Sequence, residues 1–402
     1  QIDLSSPRHR RIMVVFVAAT FLLLLFTGFA AYHSYHFTES AQFCGKTCHT
    51  VMEPELATYE HSAHARVACV ACHIGSGATW FVRSKLSGTY QVYATMADKF
   101  PRPIPTPIRH LRPAQDTCEQ CHWPKAFAGN LDRTFTHYMS DKSNTPYSVR
   151  LLMKVGGADP THGPVGGIHW HMNVGNKIEY FTTDEKRQEI PWVRVTDVQS
   201  VVTVYRAKGF TNDPAPDTIM RMDCMDCHNR PAHRFSPPDR AVDLAIWLGR
   251  IDSSLPSIKS RAVEVLAADY KTVEEAMQGI ATKLASLYPG EPRIRPAIDV
   301  VQEIYRQNFF PEMKADWRAY HDNIGHKNWP GCFRCHDDQH TSETGVALQK
   351  NCNMCHTILA QGSVTGSDIN ALSAGGMEFQ HPGDIGDAWK TDRCDTCHTG
   401  GP

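Results

Sequence analysis

Cys69-Val-Ala-Cys72-His73 is the stretch that decides how this chain is built, because the same order of residues returns along its length. It recurs at Cys118/Cys121 before His122, Cys224/Cys227 before His228, Cys332/Cys335 before His336, Cys352/Cys355 before His356, and Cys394/Cys397 before His398. A wider form, Cys44-x-x-x-Cys48-His49, opens the series. The seven pairs use all 14 cysteines. Cys-x-x-Cys-His is the attachment motif of c-type haem, in which two thioethers fix the porphyrin edge and the adjacent imidazole reaches the iron. Seven covalent haem c groups are therefore expected, with His49, His73, His122, His228, His336, His356 and His398 as motif-side iron ligands.

Structural zinc and disulfides are the bland readings of paired cysteines. Zinc ribbons use Cys-x-x-Cys without requiring a histidine after the second cysteine. Histidine is about one residue in eighteen here, so its presence after all seven pairs is not chance. Disulfide scaffolds vary their spacings, whereas this chain repeats one.

The 402 residues would ordinarily make two or three domains. Seven macrocycles replace much of an apolar core, so the expected fold is mainly α with much irregular haem-packed structure. The formal charge of −1 omits the haem propionates, which make the holoprotein more acidic. No basic run is interleaved with aromatics, which excludes a nucleic-acid surface.

From Ile12 to Tyr32 the sequence IMVVFVAATFLLLLFTGFAAY carries no charge, and at 1.5 Å per residue it makes roughly 31 Å of helix, one bilayer span. Arg8, Arg10 and Arg11 precede it, so the positive-inside rule predicts a cytoplasmic segment 1–11, a transmembrane helix 12–32, and the bulk of the chain in the bacterial periplasm. The expected location is the inner membrane, single-pass.

The motifs form two groups. Four fall within 33–236 and three within 315–402, with a helical spacer predicted over 237–314. PRPIPTPIRHLRP, residues 101–113, reads as an extended connector. KIEYFT, IPWVRVT and VVTVYR read as short strands, a small β-meander inserted at about 177–206. In the spacer Val273, Met277, Ile280, Leu284 and Leu287 recur at helical spacing, with Thr272 and Glu275 placed as a capping box and Pro289-Gly290 as a stop. Ile298, Val301, Ile304 and Tyr305 mark a second helix.

Outside the motifs and the anchor stand twelve histidines: His61, His64, His110, His137, His162, His169, His171, His233, His321, His326, His340 and His381. They suffice to give every iron a second imidazole, which closes the site and suits electron transfer. The C-terminal module loosely resembles small class III multihaem cytochromes. His326 and His340 flank the fifth motif and His381 precedes the seventh, so these three are the expected distal ligands there, with His321 as the alternative to His326.

Residues from about 10 to 236 resemble the NapC/NirT family of membrane-anchored tetrahaem quinol dehydrogenases. The resemblance rests on the anchor, FCGKTCHTVMEP, ATYEHSAH, ACVACH, FVRSKLSG and CMDCHNRPAH. It implies distal ligands at His64 and His233, with His137 the choice after the third motif. It also implies that Met52, rather than His49, can bind the first iron, and that Lys85 lies at a quinol site. The chain departs from the family pattern in two ways. Its first motif is one residue longer, which leaves either His49 or Met52 to face the iron. Gln91 stands near the place of the family's acid, and the first acid after it is Asp98.

The expected function is a membrane-anchored periplasmic heptahaem cytochrome that carries electrons from the quinol pool to a periplasmic acceptor. Quinol oxidation releases two protons, so it needs a titratable group beside a haem at bilayer depth. The alternative is an electron-relay subunit of a larger respiratory complex, fed by a cytochrome b or Rieske-type partner, without a quinol site of its own. A terminal oxyanion reductase is the third class, and the abundance of distal histidines argues against it.

Overall fold

The computed structural model describes residues 5–47, 49–75, 77–108, 112–123, 127–157, 166–173, 175–363 and 371–402. Cys48, His110 and His162 lie outside the described residues, as does the side chain of His49. The chain is mainly helical, with some strands.

Helix α1 runs from Pro7 to Thr38, 32 residues with Pro7 at its first turn and none of them buried. Phe16, Leu22 and Phe26 are all more than 60% exposed although they point in different directions. Each such side chain costs about 1.5–3 kcal/mol in water relative to an apolar medium, so only lipid accommodates a helix apolar on every face. At 1.5 Å per residue α1 is about 48 Å long and exceeds the ~30 Å hydrocarbon core. Its last turns carry Tyr32, Tyr35 and His36, and the Tyr32 and His36 rings meet at 4.4 Å, as an aromatic belt at the membrane boundary requires. The backbone then enters a π-helical turn, Phe43–Thr47, in which the Cys44 amide bonds the Ser40 carbonyl at 3.1 Å. The first motif thus hangs directly from the end of the anchor.

Next come α2 (His49–Glu60), α3 (Cys69–His73), α4 (Ala78–Met96), α5 (Ala114–Cys118) and α6 (Cys224–Cys227). The stretch 237–314 folds into α7 (Pro238–Trp247), α8 (Ile258–Leu266), α9 (Val273–Leu287) and α10 (Ile294–Asn308). Three short helices, α11 (Cys352–Cys355), α12 (Ala388–Thr391) and α13 (Cys394–Cys397), complete the set. Of all these helices four, α3, α6, α11 and α13, are single turns that carry both cysteines of a motif, and α5 ends on the first cysteine of the third.

Residues 237–314 are more than a spacer, because they hold the main hydrophobic core. Val242, Leu255, Ile258, Ala262, Ile280, Leu284 and Val301 are fully enclosed there. Helix α9 begins as expected, with Thr272 Oγ1 accepting from the Glu275 amide at 3.1 Å. The Glu275 carboxylate accepts from the Lys271 amide rather than that of Thr272, so the box closes one residue early. Gly290, with φ of +73°, turns the chain into α10. Leu284→Ala should cost about 2–5 kcal/mol, because the site is surrounded and cannot collapse. A chemical-denaturation midpoint unchanged from wild type would refute that packing.

The strands also depart from the expectation of one local meander. Strands β3 (Lys177–Phe181), β4 (Trp192–Thr196) and β5 (Val202–Arg206) do form it, but β6 (Met220–Arg221) and β7 (Thr341–Ser342) extend it to five strands in the order β6-β3-β4-β5-β7. A second antiparallel sheet joins β1 (Leu131–Tyr138), β2 (Pro146–Met153) and β8 (His356–Ser363) in that order. The strands β7 and β8 come from the C-terminal stretch and pair with strands preceding the fourth motif. The two motif groups therefore share both sheets.

Candidate haem sites

Consecutive motifs are neighbours in space. The Cys69 thiol hydrogen-bonds with Cys44, and Cys118 does so with Cys224. Burial raises the Cys72 thiol, and the sulfurs of Cys69 and Cys121 raise it further. Burial pushes Cys227 and Cys335 up to about 12, with Cys332 raising Cys227 further and Cys227 raising Cys335. Cys355 is pushed up to about 11 by burial and then by Cys332, while Cys394 is raised by burial with Cys352 among its neighbours. Two thiol hydrogen bonds and the mutual electrostatic influence of the other sulfurs link the first motif to the second, the second to the third, and so on to the seventh, with the third and fourth joined by the Cys118–Cys224 hydrogen bond. Cys227 and Cys332 are solvent-exposed and yet crowded enough for burial to shift them, as side chains lining an interior cleft would be.

Each described motif histidine faces a second imidazole. The ring centroids are 6.2 Å apart for His73 and His233, 5.9 Å for His122 and His64, and 6.3 Å for His228 and His169. They are 6.0 Å apart for His336 and His171, 6.2 Å for His356 and His326, and 5.9 Å for His398 and His381. Two imidazoles on opposite faces of one metal, each bound at about 2 Å, hold their centroids roughly 6 Å apart.

Ring chemistry agrees with that spacing. The Nδ1 atoms of His64, His233, His169 and His171 lie 2.6–3.0 Å from backbone carbonyls of Pro231, Glu55, Val155 and Ile168. A ring that donates through Nδ1 keeps the Nε2 lone pair for a metal, the usual outer-shell arrangement of a ligating histidine. Burial pushes His233 and His326 down to about 4 and lowers His73, His171, His228, His336, His356 and His398, which keeps these imidazoles neutral. Iron takes the neutral ring.

Two expected distal residues lie near paired motif histidines, His137 near His398 and His340 near His336, but are engaged elsewhere. The His137 Nδ1 lies 3.0 Å from Asp243 Oδ2, docking β1 on α7. His340 is 3% exposed, with Nδ1 2.8 Å from Asp337 Oδ1 and Nε2 2.7 Å from the Ile190 carbonyl, so both nitrogens are taken. Among the described residues neither ring contacts a motif imidazole. The residues that do so in their place, His169 and His171, share the 3₁₀ turn Ile168–Met172. Their signal in the sequence is a His-x-His spacing in a segment with no other evident task. His321 is half-buried, and His61 is engaged by the Ala57 carbonyl and Gln307.

Buried cations supply a further test of fit. Arg112 and Arg230 keep buried guanidinium nitrogens with no hydrogen-bond partner among the described residues. Such groups are costly unless an anion meets them. Haem propionates are anions of the right kind, and Arg230 stands two residues after His228. The residues fit covalently attached haem.

At the membrane end, Lys85 on α4 donates from Nζ to Thr38 Oγ1 at 3.3 Å, at the last residue of α1. The same ammonium sits 4.9 Å over the Phe81 ring, and Tyr35 of α1 meets Phe81 at 5.9 Å. Val82, Leu86, Tyr90, Tyr93 and Met96 are exposed along α4. Met52 is partly buried against the main core. Gln91 bonds Ser87 along its own helix at 3.3 Å, and Asp98 pairs with Arg102 at 2.5 Å.

Residues 6–104 match the N-terminal region of the NapC/NirT cytochrome c family. The cytochrome c-type protein ImcH of Geobacter sulfurreducens is 43% identical over 410 residues, covering 99% of this chain and 80% of its own. The chain belongs to the NapC/NirT cytochrome c family. No solved structure matches it. As a NapC/NirT cytochrome it carries covalent haem c and takes part in membrane electron transport, and α1 is its anchor. Members of this family are membrane-anchored and pass electrons from quinol to partners.

Proposed function

We propose that this chain binds seven haem c groups and carries electrons from the quinol pool of the bacterial inner membrane to a periplasmic acceptor. The observation that carries the reading is the order of the motifs in space, each beside the next, beginning at the end of α1. Bound haem supplies the one-electron redox chemistry. The protein's part is to hold the sites in file and keep their imidazoles neutral. His73 with His233, His122 with His64, His356 with His326, and His398 with His381 are the ligand pairs assigned to the second, third, sixth and seventh sites. At the first site Met52 is assigned to the iron, in place of His49. Arg8, Arg10 and Arg11 keep the start of α1 in the cytoplasm, which puts the motifs in the periplasm.

Lys85 is placed to serve the quinol. It sits where α1 leaves the bilayer, beside the exposed apolar face of α4, and can hydrogen-bond a quinol hydroxyl as its protons leave. One observation favours the relay reading, with electrons from a cytochrome b or Rieske-type partner in a multi-subunit complex. No carboxylate pairs with Lys85 among the described residues, so beyond the lysine itself, once it has given up its own proton, no acceptor for the quinol's two protons is evident. The full chain purified in detergent should have its haems reduced by a menaquinol analogue. Failure with seven haems per chain by mass would exclude direct quinol oxidation, and recovery on adding the co-purifying membrane subunit would establish the relay.

A further inference from the structure

We infer that the turn Ile168–Met172 ligates two haem irons at once, His169 the fourth and His171 the fifth, and so joins the two motif groups. This rests on the haem reading above and extends it to a connection that the tetrahaem family pattern does not contain. The local geometry makes it possible. A 3₁₀ turn has 3.0 residues per turn, so residues two apart point about 120° away from each other, whereas in a strand they would share a face. The His169 ring lies parallel to that of His228, at 6.3 Å and 4°, and the His171 ring meets that of His336 edge-on, at 6.0 Å and 89°. One short turn thus addresses two motifs whose cysteines, Cys227 and Cys332, are themselves neighbours.

The turn is held from both sheets. The Ile168 amide donates to the Lys154 carbonyl, just past β2, at 2.8 Å. Trp170, between the two histidines, packs on the core of the five-stranded sheet with Ile178, Tyr180 and Val193. Asn176 Nδ2 donates to the Trp170 carbonyl at 3.0 Å. At Gly167, with φ of +100°, any Cβ would fall 2.5 Å from the Lys154 oxygen, so only glycine lets the chain enter the turn. His169 is also stacked on Phe127 at 4.3 Å. Both rings donate through Nδ1 to carbonyls, which leaves each Nε2 lone pair for a metal.

The test counts high-spin haem in the detergent-solubilised full chain by electron paramagnetic resonance, with haem content fixed by intact mass. His169→Ala and His171→Ala should each convert one haem of the seven to high spin, and the double variant two. Added imidazole should return each to low spin. His137→Gln and His340→Gln should leave the wild-type spectrum unchanged. If alanine prevents folding, His169→Met and His171→Met keep six ligands, and each should add one thioether-to-iron charge-transfer band in the near infrared. Full haem content with no high-spin haem in either alanine variant, or no added band in the methionine variants, overturns the inference. A haem content other than seven fails the underlying reading instead.

Discussion

Lys259→Ala should destabilise the holoprotein by about 3–5 kcal/mol, the cost of leaving one member of a buried ion pair alone. Lys259 is 4% exposed and Asp243 5%, and their charges meet at 2.5 Å. Burial lowers the lysine's pKa, and the charge and hydrogen bond of Asp243 act against that fall. The pair also fixes backbone. Asp243 Oδ1 accepts from the Tyr138 amide at 3.0 Å and Oδ2 meets His137, so β1 is pinned to α7, while Lys259 bonds the Asp239 carbonyl. Asp239 holds Lys327 at 3.0 Å and Asn328 at 3.2 Å, and Asn328 reaches the carbonyl of His398. The cluster thus connects a strand of the first motif group, two helices of the core, and the seventh motif. Lys259→Met with Asp243→Asn should recover part of the loss, because no charge is then stranded and the introduced carboxamide oxygen still accepts from the Tyr138 amide. Denaturation midpoints followed by far-ultraviolet circular dichroism test both. A single-variant loss below about 1 kcal/mol, the scale of a surface pair, would deny the cluster its structural role.

How far the sequence could be read followed the range of each interaction. The motifs and the anchor are local, and composition and spacing alone identify them. The helices of 237–314 were legible for the same reason, since Ile280, Leu284, Val301 and Ile304 recur with the helical period and are buried. That they form the main core rather than a spacer was not legible, because periodicity marks an apolar face without saying what covers it. Strand β8 was missed because it begins at His356 itself and gains its place by pairing with β2, some 200 residues earlier. The histidines that face a motif imidazole divide along the same line. His381 lies 17 residues before His398, which it faces, whereas His233 follows the fourth motif and faces His73 of the second. His169 and His171 are set by a turn clamped between two sheets, and no one-dimensional spacing encodes that. His137 and His340 have the right residue type and convenient positions, but they are occupied by the carboxylates of Asp243 and Asp337.

Lys85→Leu should lower the rate of haem reduction by a menaquinol analogue by at least about 100-fold, the low end of the contribution of a positioned proton-transfer group. The argument rests on place. Lys85 is half-buried, its Nζ is held by Thr38 at the end of the membrane helix, and the same ammonium lies over the Phe81 ring. A quinol head approaching from the lipid along the exposed Val82, Leu86 and Tyr90 would meet that ammonium at the end of α1. Leucine keeps the volume and the apolar contacts but removes the hydrogen bond, so haem content, spin state and reduction by dithionite should match wild type. Lys85→Arg should keep partial activity, because a guanidinium donates hydrogen bonds but does not exchange its proton in this range. Thr38→Val, which only frees the ammonium, should cost less than Lys85→Leu. If Lys85→Leu reduces as fast as wild type with quinol, Lys85 is a surface cation. If wild type and variant are both inert until a membrane partner is added and then reduce equally, electrons enter from that partner, and the lysine serves only to dock α4 on the anchor.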